Sequence, residues 1–212
     1  MEESTDRALS TFTVMHPTSP NSDQRTTRQL ETRRSRRART KLVERLKRKG
    51  IRNQAVLDAL EAVPRHLFLD PEQFDNAYVD TALPIGHAQT ISQPFVVALM
   101  SEMLLTATKK NQRILEIGTG CGYQTAILSH LFDRVYSVER IRSLLQRAEK
   151  HLALLSINNA TLQHGDGTTG WPGQEIFDAI IVTAASDNLP QPLLGLLEAD
   201  TCLIAPIGAP GH

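Results

Sequence analysis

Residues 114 to 123 read ILEIGTGCGY, an apolar run that leads into a glycine-rich turn and then into a helical pattern. Gly118 and Gly120 would let the backbone turn tightly and come close to a ligand. Glu139 lies at the end of the next predicted strand, 21 residues after Gly118, where its carboxylate can accept hydrogen bonds from both hydroxyls of a ribose. Together these residues predict a pocket for a cofactor that contains adenosine.

The neighbouring residues separate two such cofactors, a nicotinamide dinucleotide and S-adenosylmethionine. The dinucleotide fingerprint requires a third glycine at position 123, where this chain carries Tyr123. Glu116 lies two residues before the turn, and its negative charge would repel a pyrophosphate but suit a cationic ligand. S-adenosylmethionine carries a sulfonium and an ammonium group and has no phosphate. The sequence therefore favours S-adenosylmethionine, and a nicotinamide-dependent oxidoreductase with the same fold stays as an alternative.

A further acidic residue, Asp166, lies in the sequence HGDG at the end of the third predicted strand. Its carboxylate could meet the amino group of an adenine there. An Asp-Gly pair is also a common turn, so Asp166 and Gly167 could simply reverse the chain. Because the other candidate residues also fall at strand ends, we predict that both residues belong to the cofactor site.

The elements that must position these residues alternate along the chain. Strands are predicted at 113–118, 134–139, 160–167, 177–185 and 201–208, and helices at 125–132, 141–155 and 189–200. Such alternation is typical of an α/β domain with a doubly wound, mostly parallel sheet. In these sheets ligands bind outside the carboxyl ends of the strands, where the glycine turn is expected.

A helical preface is predicted before the sheet, and a polar N-terminal extension before the preface. Residues 1–35 are rich in polar residues and arginine and are predicted to be disordered. We divide the remaining 36–212 into a preface with a substrate loop at 36–105 and a cofactor-binding α/β core at 106–212. Within the preface, residues 80–94 combine Pro, Gly, His and Ser without periodicity and are predicted to form a loop, and 95–105 a helix.

The composition is that of an ordinary globular protein, with 41% hydrophobic and 22% charged residues and a formal net charge of zero. A neutral chain gives no global electrostatic case for nucleic acid or membrane as a partner. The N-terminus lacks the apolar core of a signal peptide, and two cysteines do not make a disulfide framework. We therefore expect a cytoplasmic protein without a membrane segment, predict no metal site, and expect a monomer.

Several segments together resemble the protein-L-isoaspartate O-methyltransferases. LPIGHAQTISQPFVVALM, ILEIGTGCGYQTAIL, VYSVER, HGDG and FDAIIVTAA appear in the same order and spacing as in that family. The resemblance covers roughly residues 40 to 208, and GHAQTISQP is its most specific part. It implies a Rossmann-like methyltransferase fold and methyl transfer from S-adenosylmethionine to the free carboxylate of L-isoaspartyl residues in damaged proteins and peptides. The resulting ester would initiate repair through a succinimide.

The resemblance also implies roles in the QTIS loop. Ser92 matches the active-site serine of the family, and we predict that it hydrogen-bonds the substrate carboxylate instead of attacking as a nucleophile. Gln89, Thr90 and Ile91 would shape the same pocket. A carboxylate is already ionised at neutral pH, so the reaction needs alignment more than a general base. His87 is interpreted as a structural residue of the loop.

The chain departs from the family pattern at both ends. It carries about 35 additional polar residues before the preface, and it stops at IAPIGAPGH, where family members usually continue through further strands. We therefore expect a domain that lacks the final C-terminal strands. The alternatives are a truncated, catalytically weak relative that binds the cofactor, or a binding module that contacts RNA through the basic run at 33–41. The simpler interpretation of that run is a solvated lead-in to the first helix, and we regard nucleic acid as an unlikely partner.

Overall fold

The computed structural model describes residues 31–173, 175–183, 191–197 and 201–206. Its α-helices are α1 (Arg33–Arg48), α2 (Gln54–Ala62), α3 (Pro94–Ala107), α4 (Tyr123–Ser129), α5 (Arg142–Leu154) and α6 (Gln191–Leu194). Its strands are β1 (Leu83–Gly86), β2 (Gln89–Ile91), β3 (Arg113–Ile117), β4 (Arg134–Glu139), β5 (Ala160–His164), β6 (Ala179–Val182) and β7 (Cys202–Ile204). The disorder predicted for residues 1–30 lies outside the described part of the chain.

Five strands form one parallel sheet in the order β5-β4-β3-β6-β7. From β3 the chain first builds outward through β4 and β5, then returns to add β6 and β7 on the other side. The predicted α/β class and parallel sheet are confirmed. Because the order reverses at β3, the crevice at its carboxyl end is where this fold binds ligands.

Apolar side chains cover both faces of the sheet, as parallel strands require. Ile114 and Ile181 belong to a large cluster shared with the preface helices, whereas Leu115 and Ile180 belong to a second cluster on the opposite face. Alternate residues of β3 therefore face different layers. No helix among the described residues is long and apolar enough to cross a membrane.

The preface is helical and begins earlier than the sequence indicated. Thr32 caps α1 by accepting a hydrogen bond from the Ser35 N–H at 3.1 Å, so the helix starts at Arg33, and residues 33–35 are helical, contrary to the disorder predicted to residue 35. Leu42 and Leu46 bury its inner face. The early start was missed because arginines show no apolar periodicity.

The segment 80–94, predicted to be a loop, contains an antiparallel hairpin. β1 pairs with β2, and the two residues between them, His87 and Ala88, have φ angles of 54° and 55°. Positive φ at both central residues is the requirement of a tight hairpin turn that usually selects Asn-Gly. His-Ala gives no such signal, so the prediction of an unstructured loop was wrong here.

Later elements are shorter than predicted. β5 ends at His164, and Gly167–Thr169 form a 3₁₀ turn in place of the end of the predicted strand 160–167. α6 covers only Gln191–Leu194 of the predicted helix 189–200, and residues 195–197 do not continue it. Gly195 explains the stop, since glycine is a poor helix former. The parts of these predictions at 184–190, 198–200 and 207–208 lie outside the described residues.

Candidate active site

A cleft lies at the carboxyl ends of the central strands, between the glycine turn and the β1–β2 hairpin. The space between its walls, with the solvent at its open mouth included, is about 510 Å³. Its walls are formed by Ile85, Gln89, Thr90, Ile91, Ser92, Val97, Gly118, Thr119, Gly120, Cys121, Tyr123, Gln124, Glu139, Leu144 and Thr183. The fold therefore joins the QTIS loop and the glycine turn, which are far apart in sequence, in one site.

The glycine turn connects β3 to α4 with a backbone that other residues adopt poorly. Gly118, Gly120 and Gly122 have φ angles of 100°, 56° and 90°. A Cβ atom on Gly122 would lie 3.1 Å from the Cβ of Ala148, so this glycine also permits α4 and α5 to approach closely. Gly122 thus allows the close packing of α4 against α5. Position 123, where the dinucleotide fingerprint has its third glycine, can therefore carry Tyr123.

Glu139 holds the turn from the end of β4. Its Oε2 accepts a hydrogen bond from the Gly120 N–H and its Oε1 accepts one from the Ile141 N–H, each at 2.8 Å. Each carboxylate oxygen keeps acceptor capacity, since an ionised carboxylate has about four lone-pair positions. The side chain is only 5% exposed but lines the cleft. It is therefore oriented to accept further hydrogen bonds from a ligand.

Glu116 lies beneath the turn and does not line the cleft. Its Oε2 accepts hydrogen bonds from the Thr125 and Ser137 hydroxyls at 2.5 and 2.6 Å, and Oε1 has no partner among the described residues. Complete burial raises the pKa of this carboxyl from 4.5 to about 7. The geometry gives Glu116 a supporting position under the turn and does not favour the direct ligand contact that we predicted.

Asp166 and Gly167 also lie outside the cleft lining. Asp166 is exposed and accepts a hydrogen bond from the Thr168 N–H at 3.0 Å, which holds the pKa of its carboxyl below the ordinary value. A Cβ on Gly167 would come within 2.5 Å of Ile117 Cγ2. These contacts match the alternative that the sequence left open, in which the pair forms a turn.

The QTIS segment, which is strand β2 and Ser92, supplies hydroxyl groups to the cleft. The side-chain hydroxyls of Ser92 and Thr90 make no hydrogen bond with another described residue, so both are available to a ligand. Ile91 is 3% exposed and anchors the loop in the core, while Gln89 donates to the Ala88 carbonyl at 3.2 Å. His87 lies outside the lining and contacts the Ser143 hydroxyl at 2.7 Å, as expected for a structural residue.

The sequence analysis missed one residue that fixes the turn from the neighbouring strand. The Thr183 hydroxyl lies 3.0 Å from the Ile117 carbonyl and 2.5 Å from that of Gly118, and its N–H also donates to Ile117. Its position directly after the buried strand β6 was a usable signal, because the carboxyl ends of neighbouring parallel strands meet at one edge.

A second missed contact joins the preface to the turn. The Arg65 guanidinium is fully buried, lies 4.9 Å from the centre of the Tyr123 ring, and donates to the carbonyls of Ala77 and Thr81. No sequence signal could have indicated this contact, because its partners are separated by long stretches of chain. Arg65 thereby packs against a ring that forms part of the cleft wall.

Comparison with known proteins agrees with this arrangement. The family model described as protein-L-isoaspartate(D-aspartate) O-methyltransferase matches residues 36–212. The chain belongs to this family. A protein-L-isoaspartate O-methyltransferase 1 from Marinobacter nauticus is 53% identical over 174 residues, which are 82% of this chain and 79% of that protein. A protein-L-isoaspartate O-methyltransferase from Hahella chejuensis is 50% identical, with 82% of each chain covered.

Two solved structures superpose well on this methyltransferase. A structure named protein-L-isoaspartate O-methyltransferase superposes with a TM-score of 0.71 at 32% identity, covering 80% of this chain and 55% of the other. A crystal structure of a Plasmodium falciparum protein assigned to the same activity, in complex with S-adenosyl-L-homocysteine, gives a TM-score of 0.68 at 28% identity. It covers 82% of this chain and 85% of the other.

The cleft of the methyltransferase fits S-adenosylmethionine, the cofactor of the family. The described residues that line the cleft include no lysine or arginine, so they offer no side-chain cation to neutralise a pyrophosphate. The charged group that does line it is the Glu139 carboxylate, which suits ribose hydroxyls and a cationic ligand. This chemistry favours S-adenosylmethionine over a nicotinamide dinucleotide.

Proposed function

We propose that this methyltransferase transfers a methyl group from S-adenosylmethionine to the free α-carboxylate of L-isoaspartyl residues in proteins and peptides. The observation that carries the proposal is that Ser92, the glycine turn and Glu139 line one cleft, and that the Ser92 hydroxyl makes no hydrogen bond within the described part of the chain. The family match supports the substrate class, since the relatives carry the name of this activity. A nicotinamide-dependent oxidoreductase has no support in the cleft or the family.

The residues of the cleft are arranged for alignment and not for proton transfer. Burial raises the pKa values of Cys121 and Tyr123, so both groups remain protonated at neutral pH. Glu139 is engaged with two backbone N–H groups. No base is required, because a carboxylate loses its proton well below pH 7 and the substrate is already ionised at neutral pH. Holding the reacting atoms in line can supply several kcal/mol of the barrier, on the order of 7–11 in the best cases.

Each part of the cleft has a separate task in this scheme. Bound S-adenosylmethionine supplies an activated methyl group on a sulfonium. Glu139 holds the ribose while the glycine turn gives close backbone contact, and Ser92 donates a hydrogen bond to the substrate carboxylate. Thr90 and Gln89 limit the movement of the peptide at the mouth of the cleft. The product is a methyl ester, whose carbonyl the main-chain nitrogen attacks with loss of methanol, and the succinimide formed hydrolyses partly to aspartate.

The role of Ser92 is tested by measuring, in one variant, both the kcat/KM for the peptide and the Kd for the cofactor product. Replacing Ser92 with alanine removes one hydrogen bond to a charged group, so kcat/KM for an isoaspartyl peptide should fall roughly 10- to 100-fold. The Kd for S-adenosylhomocysteine should stay within about twofold. Ser129→Ala serves as the control, because that hydroxyl only donates to the Ala126 carbonyl at the end of α4. If Ser92→Ala kept full activity at a limiting peptide concentration, Ser92 would have no role in binding the substrate carboxylate.

We also propose a cytoplasmic, monomeric protein. Support for the location comes from the scarcity of cysteine, with two in 212 residues. Size-exclusion chromatography with light scattering would test the monomer, and fractionation of cells that express the chain would test the location.

A further inference from the structure

Helix α1 concentrates positive charge in a protein whose formal net charge is zero. Residues 33–49, which are α1 and its capping lysine, contain ten of the 23 Lys and Arg residues but only one of the 23 Asp and Glu residues. The segment therefore carries a formal charge of +9 against −9 for the rest of the chain. A local field of this size attracts anions even though the net charge is zero.

Five of these cations form one row along the exposed side of α1. Their spacing of three and four residues places them on one side of the helix, away from buried Leu42 and Leu46. We call this row the cationic stripe, and it consists of Arg34, Arg37, Lys41, Arg45 and Arg48.

Acidic side chains of the described residues neutralise little of the positive charge of the cationic stripe. Arg34 makes an ion pair with Asp75 at 3.2 Å, but both side chains are largely exposed, so water screens the pair. The side chains of the other four members make no ion pair or hydrogen bond within the described part of the chain. A shallow depression beside the N-terminal half of the helix is lined by Arg33 and three stripe members, Arg34, Arg37 and Lys41.

The C-terminal end of α1 is fastened to the segment that carries Ser92. Lys49, the C-cap of α1, lies 2.5 Å from Asp80 Oδ2. The other oxygen of Asp80 accepts the Phe95 N–H at 2.9 Å, and its main-chain carbonyl accepts the Gln93 side chain at 3.0 Å. Gln93 follows Ser92 directly in the chain. The last member of the cationic stripe, Arg48, is therefore followed directly by the lysine that connects α1 to the segment we propose grips the substrate.

We propose that the cationic stripe binds acidic segments of the substrate polypeptide that flank the isoaspartyl residue, an inference that rests on the proposed function. A helix of 16 residues is roughly 24 Å long, a distance that about seven residues of extended peptide cover. Residues 33–49 contain no aromatic side chain, so they offer none of the stacking that single-stranded nucleic acids use. A polypeptide, in contrast, must already lie at the neighbouring cleft.

Direct binding is measured by the fluorescence anisotropy of a labelled peptide of eight glutamates. The variant Arg37→Gln/Lys41→Gln/Arg45→Gln should bind it roughly fivefold or more weakly at low salt, since each exposed ion pair contributes only a fraction of a tenfold change. The control Lys110→Gln/Arg134→Gln/Lys150→Gln removes the same charge from exposed positions elsewhere and should bind like the parent chain. The variant Arg37→Lys/Arg45→Lys keeps the charge and should keep the affinity.

The same titration with a labelled single-stranded RNA of equal charge identifies the occupant. Weaker binding of the RNA than of the peptide supports the proposal. An RNA that binds more tightly and loses affinity in the triple stripe variant would overturn it, because the stripe would then be a nucleic-acid surface. Equal peptide affinities of the stripe variant and the control variant would overturn it as well.

Measurements of KM test whether the cationic stripe and the cleft bind the same substrate molecule. Two isoaspartyl peptides are compared, one with four glutamates five to eight residues from the isoaspartyl position and one with four glutamines there. The parent chain should show a KM about fivefold lower for the glutamate peptide, and the stripe variant should lose this preference. Equal KM values in the parent chain would refute the docking surface. Methylation of the glutamine peptide reports the proposed function separately, and the anisotropy result stands even if neither peptide is methylated.

Discussion

Glu139→Gln is the substitution that most directly tests how the cofactor pocket is held. In the native chain the two carboxylate oxygens accept the N–H groups of Gly120 and Ile141, each at 2.8 Å. Glutamine keeps one acceptor oxygen but turns an amide NH₂ toward the other backbone N–H. One charge-assisted hydrogen bond is thus replaced by two facing donors, so we expect the free energy of unfolding to fall by about 2 kcal/mol.

Cofactor affinity should fall as well. In the pocket that we propose, the carboxylate offers its remaining lone pairs to the ribose, and glutamine both loses the charge and releases the Gly120 end of the turn. A loss of about 2 kcal/mol of binding free energy corresponds to a Kd roughly 30-fold higher. Isothermal titration calorimetry with S-adenosylhomocysteine measures this change below the unfolding temperature, where both proteins are folded.

Glu149→Gln is the matched control, because Glu149 lies exposed on α5 and its loss changes the net charge equally. This variant should bind S-adenosylhomocysteine with the Kd of the parent chain. If Glu139→Gln also kept the parent Kd, Glu139 would not contact the cofactor and the assignment of the pocket would be wrong.

Three further predictions concern the support of the glycine turn. Because the folded-state pKa of Glu116 lies near 7, above its ordinary 4.5, the native chain should lose up to about 3 kcal/mol of unfolding free energy between pH 5 and pH 8. Urea unfolding of Glu116→Gln should not show this loss, and equal pH dependence of both proteins would contradict the buried position. Gly122→Ala should lower the unfolding free energy by roughly 2 kcal/mol, since alanine resists a φ of 90° and meets Ala148, and an unchanged Tm would disprove the strain. Thr183→Val should cost about 1 kcal/mol and weaken cofactor binding, whereas unaltered calorimetry would show that its contact with Gly118 is dispensable.

The parts of the site that the sequence predicts are those encoded by local spacing. A strand, a glycine turn and a carboxylate at the end of the next strand are signals within about 25 residues, so Gly118, Gly120 and Glu139 were identified as cleft residues before the fold was known. The parallel sheet follows from alternating apolar segments for the same reason.

The parts that the sequence does not predict depend on which face a side chain takes. Glu116 was expected at the ligand, but its place in β3 turns it toward the Thr125 and Ser137 hydroxyls under the turn. That direction follows from the register of β3 against β4, where Glu116 lies opposite Ser137. The buried Arg65 beside Tyr123 depends likewise on how the preface packs against the core.

The most direct test of the proposed reaction is methyl transfer from labelled S-adenosylmethionine to two peptides that differ only in one isoaspartyl or aspartyl linkage. We expect base-labile label on the isoaspartyl peptide alone, because only that linkage presents a free α-carboxylate to Ser92. Equal labelling of both peptides, or labelling of neither by a chain that binds S-adenosylhomocysteine in calorimetry, would contradict the proposed activity.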